Sequence, residues 1–454
     1  MQTSHQDVRG GSSASLFVDL YEMTMLHAYR ECGMNGVAAF DLFVRTLPPE
    51  RNFLIACGVN CLLDQLENLA FSDRDIGYLS TLGLFPQEFL ENLRSFRFTG
   101  DIFALEEGTP FFANEPILEV IAPIGEAQII ETLVLNQVGL QTLLASKAAR
   151  VVEAAKGRPV VDFGGRRAQG LDAAIKGARA FFIAGISATS NLEAGRQYGI
   201  PVVGTMAHSF IEACATEIEA FSSFATVFPT TTLLVDTYDT LEGVSRVVDL
   251  ARELGPDCKI HGIRLDSGDL VSLSQQARSI LDGAGLHHLQ IFVSGGLNES
   301  EISRLLAADV PIDAFGVGTD MSVSMDLPAF DIAYKIVEYE GVGRMKFSPR
   351  KRTLPGRKQV FRHYAGGMAE SDVIARLDSR QSEGTALLKP VMLGGHRLGP
   401  SPPISDIKNR TSRMLSELPR ALRTVAPAMT PYPVIIDEEL QDYEREIAAR
   451  VATL

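Results

Sequence analysis

Between residues 158 and 320 the chain repeats one pattern, a short apolar run followed at once by polar, charged or glycine residues. The first three runs are Val160–Phe163 before Gly164–Arg167, Phe181–Ala184 before Gly185–Ser187, and Val202–Val203 before Gly204–His208. Leu233–Val235 before Asp236–Asp239 and Gly262–Leu265 before Asp266–Asp269 come next. Ile291–Val293 before Ser294–Gly296 and Ala314–Phe315 before Gly316–Asp320 close the series. Spacings of roughly 20 to 30 residues suit one strand plus one crossover helix. The segments 241–253 and 270–281 carry the apolar period of such helices. Strands whose reactive side chains fall at their C-terminal ends predict an irregular TIM-like α/β barrel with its site on that face.

The flanks read differently. A helix is expected over 16–29, an alternating strand over 38–45, a turn at 47–52, and a strand or helix lead-in over 53–57. Residues 96–121 are strand-rich and cut by Gly100, Gly108, Pro110 and Pro116, and 126–155 is amphipathic helix with a break expected near Gly139. After residue 340 comes a basic run from Arg344 to Arg362, including Arg350 and Lys351, then proline-rich connections and a charged helix over 438–451. The expected division is a mobile tail at 1–15, an α+β domain at 16–125, the barrel at 126–343, and a segment at 344–454 packing back on the N-terminal domain. The overall class is α/β.

Composition narrows the function. At 454 residues, with 46% hydrophobic and 22% charged residues, the chain is long enough for two or three domains. A net charge of −14 argues against a nucleic-acid surface, though a local basic cluster can still hold a phosphorylated small molecule. The five cysteines show no CxxC or metal spacing and are read as reduced thiols. No apolar run long enough for a membrane span is present, and the polar start is not a secretory signal, so a cytoplasmic protein is expected.

Candidate chemistry sits where the runs stop. Arg264 and Asp266, two apart on a strand, share a face, and Gly268 can turn Asp269 back toward it. That trio could hold a divalent cation and an anion, or be a structural ion pair; Asp236 and Asp239 add carboxylates to the neighbouring rim. The glycine-rich ends at Ser294–Gly296 and Gly316–Thr319 match the usual phosphate loops of barrels. His208 follows the third run and could act as a general base or as a nucleophile toward phosphorus, or be incidental. Arg166 and Arg167 suit a diphosphate or carboxylate clamp, and Phe163 could stack on a flat ring or fill the core. The inventory suggests a polyanionic phosphate substrate, Mg²⁺, a flat ring and a histidine near the phosphates.

Taken together, Asp19–Met25, Phe40–Arg45, Asn136–Thr142, Asp162–Arg167, Ala188–Asn191, Gly204–Ser209, Leu234–Asp239, Ile263–Asp269, Gly316–Thr319 and Ala333–Val337 resemble the nicotinate phosphoribosyltransferase family. The resemblance covers roughly residues 16 to 365 in family order. It implies ATP-coupled transfer of phosphoribosyl from phosphoribosyl diphosphate to nicotinate, the entry to NAD salvage, in a homodimer with shared sites. It implies that ATP phosphorylates His208, that Arg264 and Thr205 contact nicotinate, and that Phe163 and Tyr21 close on its two faces, Tyr21 from the neighbouring subunit. Arg166, Gly296, Gly318 and Thr319 would hold phosphoribosyl diphosphate, with Asp236 and Asp266 near the reacting carbon and Mg²⁺ at Asp266 and Asp269. Gly165 departs from the pattern, since many members carry serine there. Rival readings are a nicotinamide- or quinolinate-specific transferase and a non-catalytic phosphoribosyl sensor.

Overall fold

A computed structural model of the chain describes residues 14–346, 352–379 and 384–452. The expected tail therefore lies outside the described residues as far as residue 13, as do Arg350 and Lys351 of the basic run.

Six short parallel strands form one open sheet in the order Ala188–Thr189, Val160–Asp162, Ala314–Val317, Gln290–Val293, Gly262–Leu265, Thr232–Leu234. Apart from the edge residues Thr232 and Gln290 and the rim-facing Arg264 and Phe292, the strands are buried, as expected where helices cover both faces of a parallel sheet. Helices Thr240–Leu254, Leu270–Gly283 and Glu299–Ala307 provide the crossovers and bury Val247, Leu281 and Leu305 against the sheet. Each begins with an Asp or Asn whose carboxylate or amide oxygen accepts two backbone N–H bonds, which fixes where strand gives way to helix.

Two of the apolar runs behave otherwise. Phe181–Ala184 is the end of the helix Leu171–Ile183, and the strand begins later, at Ala188. Ala178, Phe181 and Phe182 are spaced as a buried helix face, and a short apolar run cannot by itself tell that from a strand. Val202 makes only a single parallel bridge, to Thr189, and stays 43% exposed.

The second layer is a seven-stranded sheet in the order Val342–Gly343, Ile332–Tyr339, Val37–Val44, Pro116–Pro123, Asp101–Leu105, Leu388–Leu393, His396–Arg397. Its neighbours pair antiparallel, so the N-terminal segment and strands after residue 385 share one set of hydrogen bonds. Ile332–Tyr339, which the sequence pattern groups with the barrel, lies here beside Val37–Val44, with Phe40 stacked on Tyr334 at 5.0 Å. A smaller sheet, Lys358–Ala365 with Met368–Arg376 at its centre, packs alongside.

The helix Glu131–Ala154 joins the two layers. Its break from the preceding helix is at Ile130, where φ is −96° and ψ 1°, not at Gly139. Gly139 lies inside the helix beside Ile332, where an added Cβ would make ordinary van der Waals contact at 3.6 Å. The described basic residues are largely paired: Arg352 with Glu444, Arg357 with Glu119, Lys358 with Asp41, Arg362 with Asp372. No helix among the described residues is long and apolar enough to cross a membrane.

Candidate active site

The C-terminal ends of the parallel strands bring the predicted residues together. Arg264, the third residue of Gly262–Leu265, is the hub. Its Nε donates to the Ser294 hydroxyl at 2.9 Å, and Nη1 donates to the Thr205 hydroxyl at 3.0 Å and the Met206 carbonyl at 3.4 Å. Nη2 donates to Asp266 Oδ1 at 2.8 Å. Four bonds leave one of the five guanidinium N–H donors for a ligand. The guanidinium carbon also lies 5.4 Å from the Phe163 ring centre, a cation–π distance.

Phe163 faces this group for a steric reason. It leans on Phe292, ring centres 5.6 Å apart, and both rings fit because residue 316 is glycine. A Cβ there would come within 2.8 Å of Phe163 and 2.9 Å of Phe292. The aromatic is half-buried.

His208 opens the short helix His208–Glu212, and its side chain is 40% exposed. Nδ1 is 3.1 Å from the Thr237 hydroxyl, and Nε2 is 3.9 Å from Asp266 Oδ2. Asp236 Oδ2 accepts from the Asp266 N–H at 3.0 Å and the Ser267 hydroxyl at 2.6 Å. Its other oxygen, Oδ1, is buried with no partner, the arrangement of a carboxylate waiting for a ligand. Burial works to raise the Asp266 carboxyl, but bonds from Ser294 and Arg264 and the nearness of His208 outweigh it and hold the group below the usual carboxylate range. The rim thus keeps an ionised carboxylate beside the histidine.

The glycine turns differ in what they demand. Gly295 has φ +87°, and a Cβ there would lie 1.7 Å from the Asp266 carbonyl, so only glycine fits. Gly296, with φ +64°, borders open space, and Gly318 and Thr319 begin a single helical turn, Thr319–Ser322. Arg166 sits exposed in the 3-10 turn Gly165–Arg167, beyond the strand next to Ala314–Val317.

Asp269 does not join the group. Its Oδ1 accepts from the backbone N–H groups of Val271 and Ser272 and caps a helix, a role the sequence pattern did not single out. Asp239 caps the preceding helix in the same way. Among the described residues no three His, Cys, Asp or Glu side chains form a metal cluster. Tyr21 lies 44% exposed on the helix Leu20–Glu31, with Glu131 and Glu22 as its charged neighbours.

Several residues escaped the sequence reading. Ser294, Thr237 and Thr189 orient Arg264, His208 and the buried Asp162. Gly164 is another: a Cβ there would meet Ser322 Oγ at 1.5 Å, whereas Gly165 has only the Asn191 amide nearby, at 3.7 Å. Hydroxyl residues at strand ends are too common to stand out in one sequence.

The fold and rim define an α/β enzyme with its site at the C-terminal ends of an open parallel half-barrel. Residues 16–139 match the N-terminal domain of nicotinate phosphoribosyltransferase, and residues 159–346 match the nicotinate phosphoribosyltransferase family. The nicotinate phosphoribosyltransferase pncB2 of Mycobacterium tuberculosis is 50% identical over 427 residues, 94% of this chain and 92% of the relative. The Bacillus subtilis nicotinate phosphoribosyltransferase is 41% identical over 381 residues, 82% of this chain and 78% of the relative. The crystal structure of human nicotinic acid phosphoribosyltransferase superposes with a TM-score of 0.84 at 25% identity, covering 95% of this chain and 99% of that one. The chain belongs to the nicotinate phosphoribosyltransferase family.

Proposed function

We propose that the protein transfers phosphoribosyl from phosphoribosyl diphosphate to nicotinate, giving nicotinate mononucleotide and diphosphate in NAD salvage, with ATP hydrolysis coupled through His208. The observation that carries this reading is the Arg264 hub beside the half-buried Phe163 ring, with an unpartnered Asp236 oxygen and a 40% exposed histidine side chain on the same rim. Nicotinate lies with its ring against Phe163 and its carboxylate on Arg264 and Thr205. Its ring nitrogen attacks ribose C1, and the C1–O bond breaks with its electron pair leaving on diphosphate. Asp236 and Asp266 face the positive charge that builds on the ribose, and Arg166 with the Gly296 and Gly318–Thr319 turns holds the phosphates. Orientation matters more than a base here, because the ring nitrogen carries its own lone pair.

His208 takes the γ-phosphoryl of ATP on Nε2 as the bond to ADP breaks; Thr237 on Nδ1 orients the ring for this. Asp236 and Asp266, without Asp269, fit Mg²⁺ that brings its remaining ligands as water and phosphate oxygens. Bound there, Mg²⁺ would neutralise charge on the departing diphosphate. Tyr21 closes the ring's second face from the partner copy of a homodimer with shared sites. The same reading places the protein in the cytoplasm, with its phosphorylated substrates.

The test measures product with nicotinate, nicotinamide and quinolinate side by side, with and without ATP. Nicotinate mononucleotide as the dominant product, raised by ATP, supports the reading; faster turnover of either other ring overturns it. His208→Ala should lose acid-labile ³²P from γ-labelled ATP while keeping slow transfer, and full labelling in that variant removes the phosphohistidine from the scheme.

A further inference from the structure

Lys147 is buried, with 1% of its side chain exposed, on the helix Glu131–Ala154, and it lies outside the rim. Its ammonium contacts Glu299 at 2.7 Å, Asp320 at 2.6 Å and Asp326 at 2.9 Å. One buried positive charge is thus shared by three carboxylates. Glu299 opens the helix that follows the Gly295–Gly296 turn, and Asp320 is the second residue of the helical turn that follows Gly318. Asp326 lies on the connection to the strand Ile332–Tyr339. Arg51 holds Asp326 from the N-terminal layer at 2.7 Å, and Arg150 holds Glu299 at 2.9 Å while also bonding the Val425 carbonyl at 2.8 Å.

Pairing between strands Gln290–Val293 and Ala314–Val317 ends at Val293 with Phe315. Both glycine turns lie beyond that point, so backbone pairing does not set their separation. The lysine joins Glu299, three residues past Gly296, to Asp320, two residues past Gly318. Simple charge neutralisation at the seam between the layers would not require carboxylates just beyond both turns.

We infer that Lys147 is a positioning residue for the phosphate end of the site, fixing the spacing of the Gly295–Gly296 and Gly318–Thr319 turns so that both grip one phosphorylated ligand. This rests on the reading of those turns as the phosphoribosyl diphosphate site. The nicotinate end hangs on Arg264 and Phe163, which the lysine does not touch, so the two substrates respond differently.

The test compares Lys147→Met and Asp320→Asn with the unaltered protein. Steady-state kinetics would vary each substrate in turn, calorimetric titration would use phosphoribosyl diphosphate alone, and thermal melts would report folding. The expected result is a KM and Kd for phosphoribosyl diphosphate raised ~10- to 100-fold in Lys147→Met. A smaller rise is expected in Asp320→Asn, with the nicotinate KM and ³²P labelling of His208 unchanged in both. Equal shifts in both substrates' KM, or a lowered Tm with phosphoribosyl diphosphate binding intact, overturn the inference. If Lys147→Met does not fold, Asp320→Asn, whose side chain is 20% exposed, decides alone. Failure of the functional reading looks different: the unaltered protein itself would not bind phosphoribosyl diphosphate.

Discussion

The half-barrel rim and the antiparallel layer both place charged groups out of bulk water, and they treat them in opposite ways. At the rim Asp266 is half-buried, receives bonds from Ser294 and Arg264, and stays ionised below the usual range. In the antiparallel layer burial dominates. Glu22 is buried against Thr132 and is pushed up to about 7, and Glu115, beside Asp372, is pushed upward by burial and its like-charged neighbour. Arg362 is sealed in the same place, bonded to both Asp372 oxygens at 2.8 and 2.6 Å and lying beside the rings of Phe112 and Tyr432. The lesson is that a charge kept for chemistry is left one open side, whereas a charge kept for architecture is closed on every side.

The sharpest way to break that contrast is to remove one charge from each region. Arg362→Ala should cost about 3–5 kcal/mol of unfolding free energy, because it leaves Asp372 buried without its cation. Chemical denaturation measures this, and the activity per folded molecule should hold. Arg264→Lys should do the reverse. It loses the fork that spans Thr205, Ser294 and Asp266, so kcat/KM for nicotinate should fall on the order of 100-fold with little change in Tm. A nicotinate KM equal to that of the unaltered protein would remove Arg264 from the ring site.

The pH dependence of stability separates the two regions next. Glu22 has a folded pKa raised above its unfolded value near 4.5, so its contribution is complete below that value and is lost as pH rises through about 7. Asp266 has a folded pKa depressed below 3.8, so its contribution is present above that value and is lost as pH falls through the folded pKa. Glu22→Gln should therefore flatten the loss of stability between pH 4.5 and 7 without touching the acid limb. Denaturant titrations at several pH values check this; an unchanged slope would mean Glu22 is ionised in the fold.

The smallest expected effect sharpens the comparison inside the rim itself. Gly165→Ser should change stability by no more than about 0.5 kcal/mol, since a Cβ there meets nothing closer than 3.7 Å. Gly164→Ala should be clearly destabilising, because its Cβ would fall on Ser322 Oγ. Thermal melts of the pair test whether the departure from serine at 165 is neutral for the fold.

Much of the site was legible because strands carry their functional residues at one end. Asp236 and Asp266 stood out as polar stops after apolar runs, Arg264 as the charge within one, and Thr205 through the family resemblance; the structure joins the four with hydrogen bonds. The capping role of Asp269 was not legible, since an aspartate after a turn suits a ligand or a helix cap alike, and only the folded chain brings the N–H groups of Val271 and Ser272 to its Oδ1. Phe181–Ala184 misled for a related reason: four apolar residues fit either period when the helix around them is buried.

Local chain chemistry, then, was enough to determine most of the alternation of strand and helix, the Asp236, Arg264 and Asp266 group and the family, because each rests on residue types at short spacing. Only the tertiary structure decided that a strand after residue 330 and another after residue 385 complete the N-terminal sheet, and that Lys147 ties together the helices that follow both glycine turns. Sheet partners and buried ion pairs join residues far apart in the chain. They are selected by which arrangement leaves no backbone group or charge unpaired, a condition of the whole fold that no short stretch of sequence carries.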